Sequence, residues 1–89
     1  MVGKHIFVSG QVQGVGFRYF TNDYAQQLGI TGWVRNLPDG RVEAMAFGTR
    51  EQIESFLQMI AKGPPHSQVG DLTVEDAEMK EPLEGFVIR

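Results

Sequence analysis

Apolar residues in this 89-residue chain repeat with two alternating periods, and the order of these periods most constrains its fold. A period of two is typical of a half-buried β-strand, whereas steps of three and four are typical of one helix face. The strand pattern occupies residues 5–12, 30–36, 41–47 and 68–77, with a short final strand or extension at 86–89. The helical pattern occurs twice, with apolar positions Phe17, Phe20, Tyr24 and Leu28, and then Ile53, Phe56, Leu57 and Ile60.

Turn and cap residues mark the boundaries between these segments. Gly29 follows the first helical pattern and suits the left-handed conformation that ends a helix. Residues 37–40, Leu-Pro-Asp-Gly, predict a tight hairpin turn. Thr49 and Gln52 have the spacing of a capping box, and Gly63 with the prolines after it ends the second helix.

The resulting order, β-α-β-β-α-β, predicts an α+β fold of the ferredoxin-like type. Two helices would cover one face of a four-stranded antiparallel sheet, which gives a two-layer sandwich. We expect residues 1–89 to form a single domain, because a chain of this length does not fill two.

Composition excludes some sources of stability and some ligands. The chain has no cysteine, and His5 and His66 stand far apart with no further ligand spaced to complete a metal site. We therefore expect neither a disulfide nor a metal or other cofactor. No apolar stretch approaches the ~20 residues of a membrane span, and the first residues lack a secretory h-region. A cytoplasmic monomer without a membrane partner is the default expectation.

The net charge of -3 is unevenly distributed. Residues 1–50 carry five cations and three anions, a net of +2, whereas residues 51–89 carry three cations and eight anions, a net of -5. An anionic ligand is thus expected on the N-terminal half. A nucleic-acid partner is not expected, because such binding depends largely on neutralising phosphates.

The segment 10–18 joins the first strand to the first helix and contains three glycines. Glycine lets backbone N–H groups turn toward a ligand, and a helix N-terminus adds a favourable dipole for an anion. Arg18 enters the helix beside this loop, and a guanidinium can hold a phosphate through two parallel hydrogen bonds. From the residues alone, an anion site and a merely structural turn remain equal alternatives.

Asn36 precedes the predicted hairpin turn and is open to two interpretations. Asparagine often begins a turn by bonding to its own backbone. Its neutral amide also offers a donor and an acceptor that could hold a water beside a phosphate.

Taken together, the two segments resemble the two signatures of the acylphosphatase family. The first signature is matched by Val8, Gly10, Val12, Gln13, Gly14, Val15, Phe17 and Arg18. The second is matched by Gly32, Trp33, Val34, Arg35, Asn36, Gly40, Val42 and Gly48. The resemblance covers essentially the whole chain, including its ending at 85–89, and neither signature shows a departure.

The resemblance implies a metal-independent hydrolase that splits a small-molecule acyl phosphate into a carboxylate and inorganic phosphate, the latter also an inhibitor. It implies that Arg18 is the catalytic arginine that binds phosphate and that Asn36 orients the attacking water. It further implies a phosphate-binding loop made by the backbone of Gln13, Gly14, Val15, Gly16, Phe17 and Arg18.

Two other functions are consistent with the same fold. A binding module could hold phosphate or carbamoyl phosphate without turnover, although simple anion binding would not require Asn36. An RNA-binding domain would need aromatic residues on the outer sheet face. His5, Phe7 and Trp33 are the candidates for that role, but the RNP pattern is missing and the charge is unsuitable.

Overall fold

The computed structural model describes residues 1–80 and 82–89, which form two helices and five strands. The strands are β1 (Val2–Gln11), β2 (Thr31–Asn36), β3 (Val42–Gly48), β4 (Gln68–Asp76) and β5 (Phe86–Ile88). The helices are α1 (Phe17–Leu28) and α2 (Arg50–Lys62). The predicted order of elements is confirmed, and the final segment is a strand.

All five strands belong to one sheet with the order β4-β1-β3-β2-β5. The central strand β3 is antiparallel to both β1 and β2, and β4 is antiparallel to β1. The short strand β5 is instead parallel to β2, with Gly32 opposite Phe86 and Val34 opposite Ile88. The sheet is therefore mixed, which corrects the expectation of a wholly antiparallel four-stranded sheet.

The direction of β5 follows from the path of the chain. Strand β4 ends at the same end of the sheet at which β1 and β2 begin, because β4 is antiparallel to β1. The chain then passes to the opposite edge, where β5 pairs with β2. A strand that starts from that end of the sheet can only run in the direction of β2.

The core lies between the sheet and the two helices, which cover one face as predicted. Ile6 and Val8 of β1, Val34 of β2 and Ala44 of β3 are buried on this inner face, because alternate side chains of a strand share a face. Helix α2 adds the buried side chains of Ile53, Phe56 and Ile60. Phe56 meets Phe86 of β5 edge-on, with ring centroids 5.9 Å apart.

The buried face of α1 differs from the predicted one. Phe17, Thr21 and Ala25 are buried, whereas Phe20 and Tyr24 are only half-buried and their rings lie 4.9 Å apart. Small side chains let the helix approach the sheet and α2, so they occupy the most crowded positions. The Thr21 hydroxyl is satisfied there, since it donates to the Phe17 carbonyl at 2.8 Å.

The helix ends agree with the sequence signals. Gly29 follows α1 with φ 75°, in the left-handed conformation. The Thr49–Gln52 capping box is complete, since the Gln52 backbone N–H donates to Thr49 Oγ1 at 3.1 Å and the Thr49 N–H donates to Gln52 Oε1 at 2.7 Å. Neither helix among the described residues has the length and apolar character to cross a bilayer.

A close approach of β2 to β3 at Gly32 leads to a prediction about stability. Gly32 has φ 145°, and a Cβ there would overlap the Met45 carbonyl oxygen of β3. Gly40 also has a positive φ, 95°, but a Cβ there would meet nothing within 4 Å. We expect Gly32→Ala to lower the free energy of unfolding by about 3 kcal/mol or more, from strain plus overlap.

The matched variant Gly40→Ala also places a Cβ on a residue with positive φ, but this Cβ overlaps no other atom. We expect its free energy of unfolding to fall by only about 1 kcal/mol. Urea denaturation of both variants measures the difference. Equal losses would show that the approach of β2 to Met45 is unimportant for stability.

Candidate active site

The loop between β1 and α1 alternates anchored side chains with open backbone. Phe17 is buried and Val15 packs against the core. Gly14 and Gly16 lie between these anchors with φ 74° and 79°, and a Cβ at either would meet no atom within 4 Å. Glycine is therefore required here by backbone conformation and not by crowding. The result is a turn anchored by Val15 and Phe17, with open space beside both glycines.

The N-terminus of α1 begins directly at this loop. Gly16 is its N-cap residue, no side chain caps the helix, and the first turn contains no acidic residue. The first N–H groups of a helix have no intrahelical acceptor, and the helix dipole places partial positive charge at this end. The start of α1 therefore favours an anion, and no carboxylate of its own first turn offsets that charge.

Arg18 lies in the first turn of α1 and is half-buried. The salt bridges among the described residues pair Lys4 with Asp76, His5 and Arg35 with Glu43, and Arg41 with Asp39. Arg18 is in none of these salt bridges, so its guanidinium has no carboxylate partner among residues 1–80 and 82–89. The cation beside the loop is therefore available to an external anion.

Asn36 is the last residue of β2, and its Oδ1 atom is buried without a hydrogen bond from any described residue. The turn after it is closed by other groups. The Leu37 N–H donates to the Arg41 carbonyl at 2.8 Å, and the Arg41 N–H donates to Asp39 Oδ1 at 3.1 Å. An Asn36 side chain that used Oδ1 to form the turn would be bonded to backbone, so the structure disfavours that role.

The Gln13 side chain joins the loop to this turn. Its Nε2 atom donates to the Leu37 carbonyl and to the Arg41 carbonyl, each at 2.8 Å. Strands β1 and β2 both run antiparallel to β3, so they end at the same end of the sheet. The structure therefore brings the loop 13–18 and the β2–β3 turn together. Apart from the presence of Gln13 in the loop, nothing in the sequence predicted this link.

The outer face of the sheet carries a separate set of polar and aromatic groups. His5, Phe7 and Trp33, the aromatic candidates for RNA binding, do lie there and contact neighbouring side chains. The His5 and Phe7 ring centroids are 4.5 Å apart, and the Arg35 and Arg89 guanidinium carbons lie 5.2 and 4.8 Å from the Trp33 ring centroid.

A cavity of about 570 Å³ opens on the same outer face. It is lined by side chains that include His5, Trp33, Met45, Phe47 and Arg89, and by no residue of the loop 13–18. It is therefore distinct from the site at the start of α1.

Among the described residues, no group of three or more His, Asp or Glu side chains is arranged to hold a metal ion.

Glu43 lies at the centre of this outer face, and its side chain is only 8% exposed. Its carboxylate bonds His5 Nε2 and Arg35 Nε, each at 2.6 Å. Burial raises the pKa of Glu43, but the hydrogen bonds from His5 and Arg35 outweigh burial and hold this pKa below its ordinary value. Glu43 therefore binds its strand neighbours in the ionised form.

The fold and the site together define a ferredoxin-like domain whose first helix begins, without a side-chain cap, at a glycine-containing loop. The acylphosphatase family model matches residues 4–88. The acylphosphatase of Nostoc sp. is 53% identical over 89 residues, covering 100% of this chain and 87% of the relative. The crystal structure of the Bacillus subtilis acylphosphatase superposes with a TM-score of 0.95 at 40% identity, covering 100% and 99% of the two chains.

The chain belongs to the acylphosphatase family. It is thus an enzyme of the class that hydrolyses acyl phosphates. The same fold also matches 12% of the longer HypF chain, in a structure of its phosphate- and nucleotide-bound form, with a TM-score of 0.87 and 31% identity.

The lowered pKa of Glu43 leads to a prediction about acid stability. A carboxyl whose pKa is lower in the folded state stabilises the fold above its unfolded-state pKa, and this stabilisation is lost as the pH falls through the folded-state pKa. We expect Glu43→Gln to lower the free energy of unfolding by about 1–2 kcal/mol near neutral pH. The difference from wild type should shrink below about pH 4, near and below the ordinary pKa of glutamate.

Urea denaturation at a series of pH values measures this difference. Glu54 is exposed on α2 and forms no salt bridge with a described residue, so Glu54→Gln is the matched control and should show no such trend. A Glu43→Gln deficit that stayed constant down to about pH 3 would contradict the assignment.

Proposed function

We propose that this chain hydrolyses acyl phosphates by direct in-line attack of water at phosphorus, without a metal ion or a covalent intermediate. The backbone of residues 13–18 and the Arg18 guanidinium bind the phosphoryl group, and Asn36 orients the water. One observation carries this proposal: Asn36 Oδ1 is a buried acceptor without a described partner, at the same end of the sheet as an uncapped helix N-terminus.

Binding of the phosphoryl group requires several donors directed at one anion. Left-handed glycines at 14 and 16 turn the loop so that its N–H groups can converge, as in other phosphate-binding nests. The dipole of α1 and the charge of Arg18 act in the same direction. Arg18 adds a planar fork that matches two phosphoryl oxygens, and it keeps its charge at any working pH.

The attacking water needs orientation more than activation. Phosphoryl transfer passes through a loose transition state in which the nucleophile is only lightly bonded, so a strong base contributes little. Asn36 is neutral and cannot remove a proton, but its Oδ1 can accept a hydrogen bond from water and fix the direction of a lone pair. Holding the water in line with the scissile bond supplies the entropic part of catalysis.

The leaving group makes a general acid unnecessary. An acyl phosphate releases a carboxylate, whose acid has a pKa of about 4, so it departs without protonation. A phosphate monoester would release an alkoxide, which needs a proton that this site does not supply. The proposed specificity for carboxyl-phosphate bonds therefore follows from the chemistry of the leaving group.

The side chains of the chain also favour a direct mechanism. The chain contains no cysteine that could form a phosphorylated intermediate. His5 is bonded to Glu43 on the outer sheet face, and His66 is exposed after α2, so neither lies in the loop 13–18. Water is thus the nucleophile that the proposed site can best position.

Every group of the proposed site comes from one chain, so a monomer is sufficient for turnover. We propose a cytoplasmic enzyme acting on a small-molecule acyl phosphate, without a nucleic-acid or membrane partner. Inorganic phosphate, the second product, should compete with substrate for the loop and for Arg18.

The proposed function is tested with benzoyl phosphate in the presence of a chelator, beside a simple phosphate monoester. We expect chelator-resistant hydrolysis of the acyl phosphate and negligible hydrolysis of the monoester. Asn36→Ala should lower kcat by about 100-fold or more while inhibition by phosphate persists, because the loop and Arg18 remain. Assays that follow the loss of benzoyl phosphate measure kcat, and the same assays with added phosphate measure its inhibition constant.

Thr31→Val is the matched control for this substitution. Thr31 Oγ1 is also buried without a described partner, but Thr31 lies at the other end of β2, so its loss should leave kcat unchanged. Full turnover in Asn36→Ala would reduce Asn36 to a turn residue. A folded wild-type chain that binds phosphate without turnover would instead be an anion-binding module.

Arg18→Lys tests the second assignment. An ammonium keeps the charge but cannot reproduce two parallel hydrogen bonds, so we expect kcat/KM to fall about 100-fold and the phosphate inhibition constant to rise about tenfold. Arg50→Lys, at the exposed start of α2, is the matched control and should leave both values unchanged. Unaltered phosphate inhibition in Arg18→Lys would remove Arg18 from the anion site.

A further inference from the structure

The side chain of Gln13 links the two parts of the proposed site and is not itself explained by phosphate binding. Its two hydrogen bonds, each 2.8 Å long, reach carbonyls 24 and 28 residues further along the chain. Those carbonyls belong to Leu37 and Arg41, which flank the β2–β3 turn. Leu37 directly follows Asn36, and Gln13 directly precedes Gly14. The link therefore begins on a residue of the proposed phosphate-binding loop and reaches a carbonyl next to Asn36.

The link is not needed to close the turn. The Leu37 N–H already donates to the Arg41 carbonyl at 2.8 Å, and the Gly40 N–H donates to the Leu37 carbonyl at 3.2 Å. The Gln13 bonds therefore use the remaining acceptor capacity of the same two oxygens. Their consequence is to fix the distance between the loop and the turn, since each segment already holds its own shape.

The chemistry at this position is specific to a neutral amide. The Nε2 atom of glutamine carries two hydrogens, which suits two carbonyl acceptors. The carboxylate of a glutamate only accepts hydrogen bonds, so it could not bond to these two carbonyl oxygens. The side chain of an asparagine is shorter and could not reach equally far. The link also adds no charge beside a site that must bind an anion.

We propose that Gln13 is a positioning residue whose side chain sets the Asn36-held water in line with the phosphoryl group bound by the loop. This inference rests on the proposed function. An error in the separation of loop and turn would leave the phosphoryl donors intact, because these belong to the loop backbone and Arg18. It would displace the water from the line of attack. Loss of the link should therefore reduce kcat and leave phosphate binding nearly unchanged.

The test substitutes Gln13→Met, which keeps the length of the side chain and removes both donors. We expect kcat for benzoyl phosphate to fall about tenfold, since misplacement of reacting groups by about 1 Å can cost up to 100-fold. KM and the phosphate inhibition constant should change by no more than about twofold. Far-ultraviolet circular dichroism at the assay temperature confirms that the variant is folded.

Gln52→Met is the matched control. Gln52 Nε2 donates to the Leu28 carbonyl at 2.7 Å, so this variant also breaks a link from a glutamine to a distant backbone carbonyl. That link lies at the opposite end of α1, about 18 Å from its start at 1.5 Å per residue. We expect Gln52→Met to lower stability without lowering kcat. An equal loss of kcat in both variants would reduce Gln13 to a structural role.

A double-mutant cycle identifies the group through which Gln13 acts. If Gln13 acts by placing Asn36, then adding Gln13→Met to Asn36→Ala should lower kcat by less than about twofold further. A full tenfold loss in the Asn36→Ala background would overturn the inference, as would unchanged kcat or a parallel loss of phosphate binding in Gln13→Met alone. Absence of wild-type turnover would instead overturn the proposed function on which the inference rests.

Discussion

Pairing of β1 and β2 to the two sides of β3 is the constraint on which the rest of the structure depends. Both strands run antiparallel to β3, so both end at the same end of the sheet. The loop after β1 and the turn after β2 are therefore neighbours, although Gln13 and Asn36 stand far apart in sequence. A shift of register by one residue would turn Asn36 to the outer face and exchange the buried and exposed side chains of the whole strand.

The outer face of the sheet and the start of α1 differ in how their charged groups are paired. On the outer face, the buried carboxylate of Glu43 is satisfied within the protein by His5 and Arg35. At the start of α1, by contrast, the helix end is uncapped and Arg18 has no described carboxylate partner. The charged groups of the outer face are thus paired within the protein. The charge of Arg18, which is proposed to bind the phosphoryl group, has no such internal partner among the described residues.

The proposed site achieves its chemistry with few ionisable groups. In the proposed mechanism, backbone amides, one guanidinium and two neutral side-chain amides would be enough, because the carboxylate leaving group needs no proton and the transition state is loose. Under these conditions the accuracy of positions decides the rate. The Gln13 side chain matters for this reason. Its hydrogen bonds join the loop to the β2–β3 turn, and without them only packing would set the position of one relative to the other.

The sequence by itself determined the features that depend on neighbouring residues. Gly29, the Thr49–Gln52 capping box and the turn at 37–40 act over a few residues, so their effects on helix and strand ends could be predicted. The glycine loop followed by Arg18 was visible for the same reason. Only the tertiary structure decided the rest, because it depends on contacts between distant segments. The buried face of α1 passes through Thr21 and Ala25 because the helix is crowded by the sheet and α2, and β5 is parallel because the chain crosses the sheet before it. The Gln13 link likewise exists only once strand pairing has brought the Leu37 and Arg41 carbonyls within 2.8 Å of its amide.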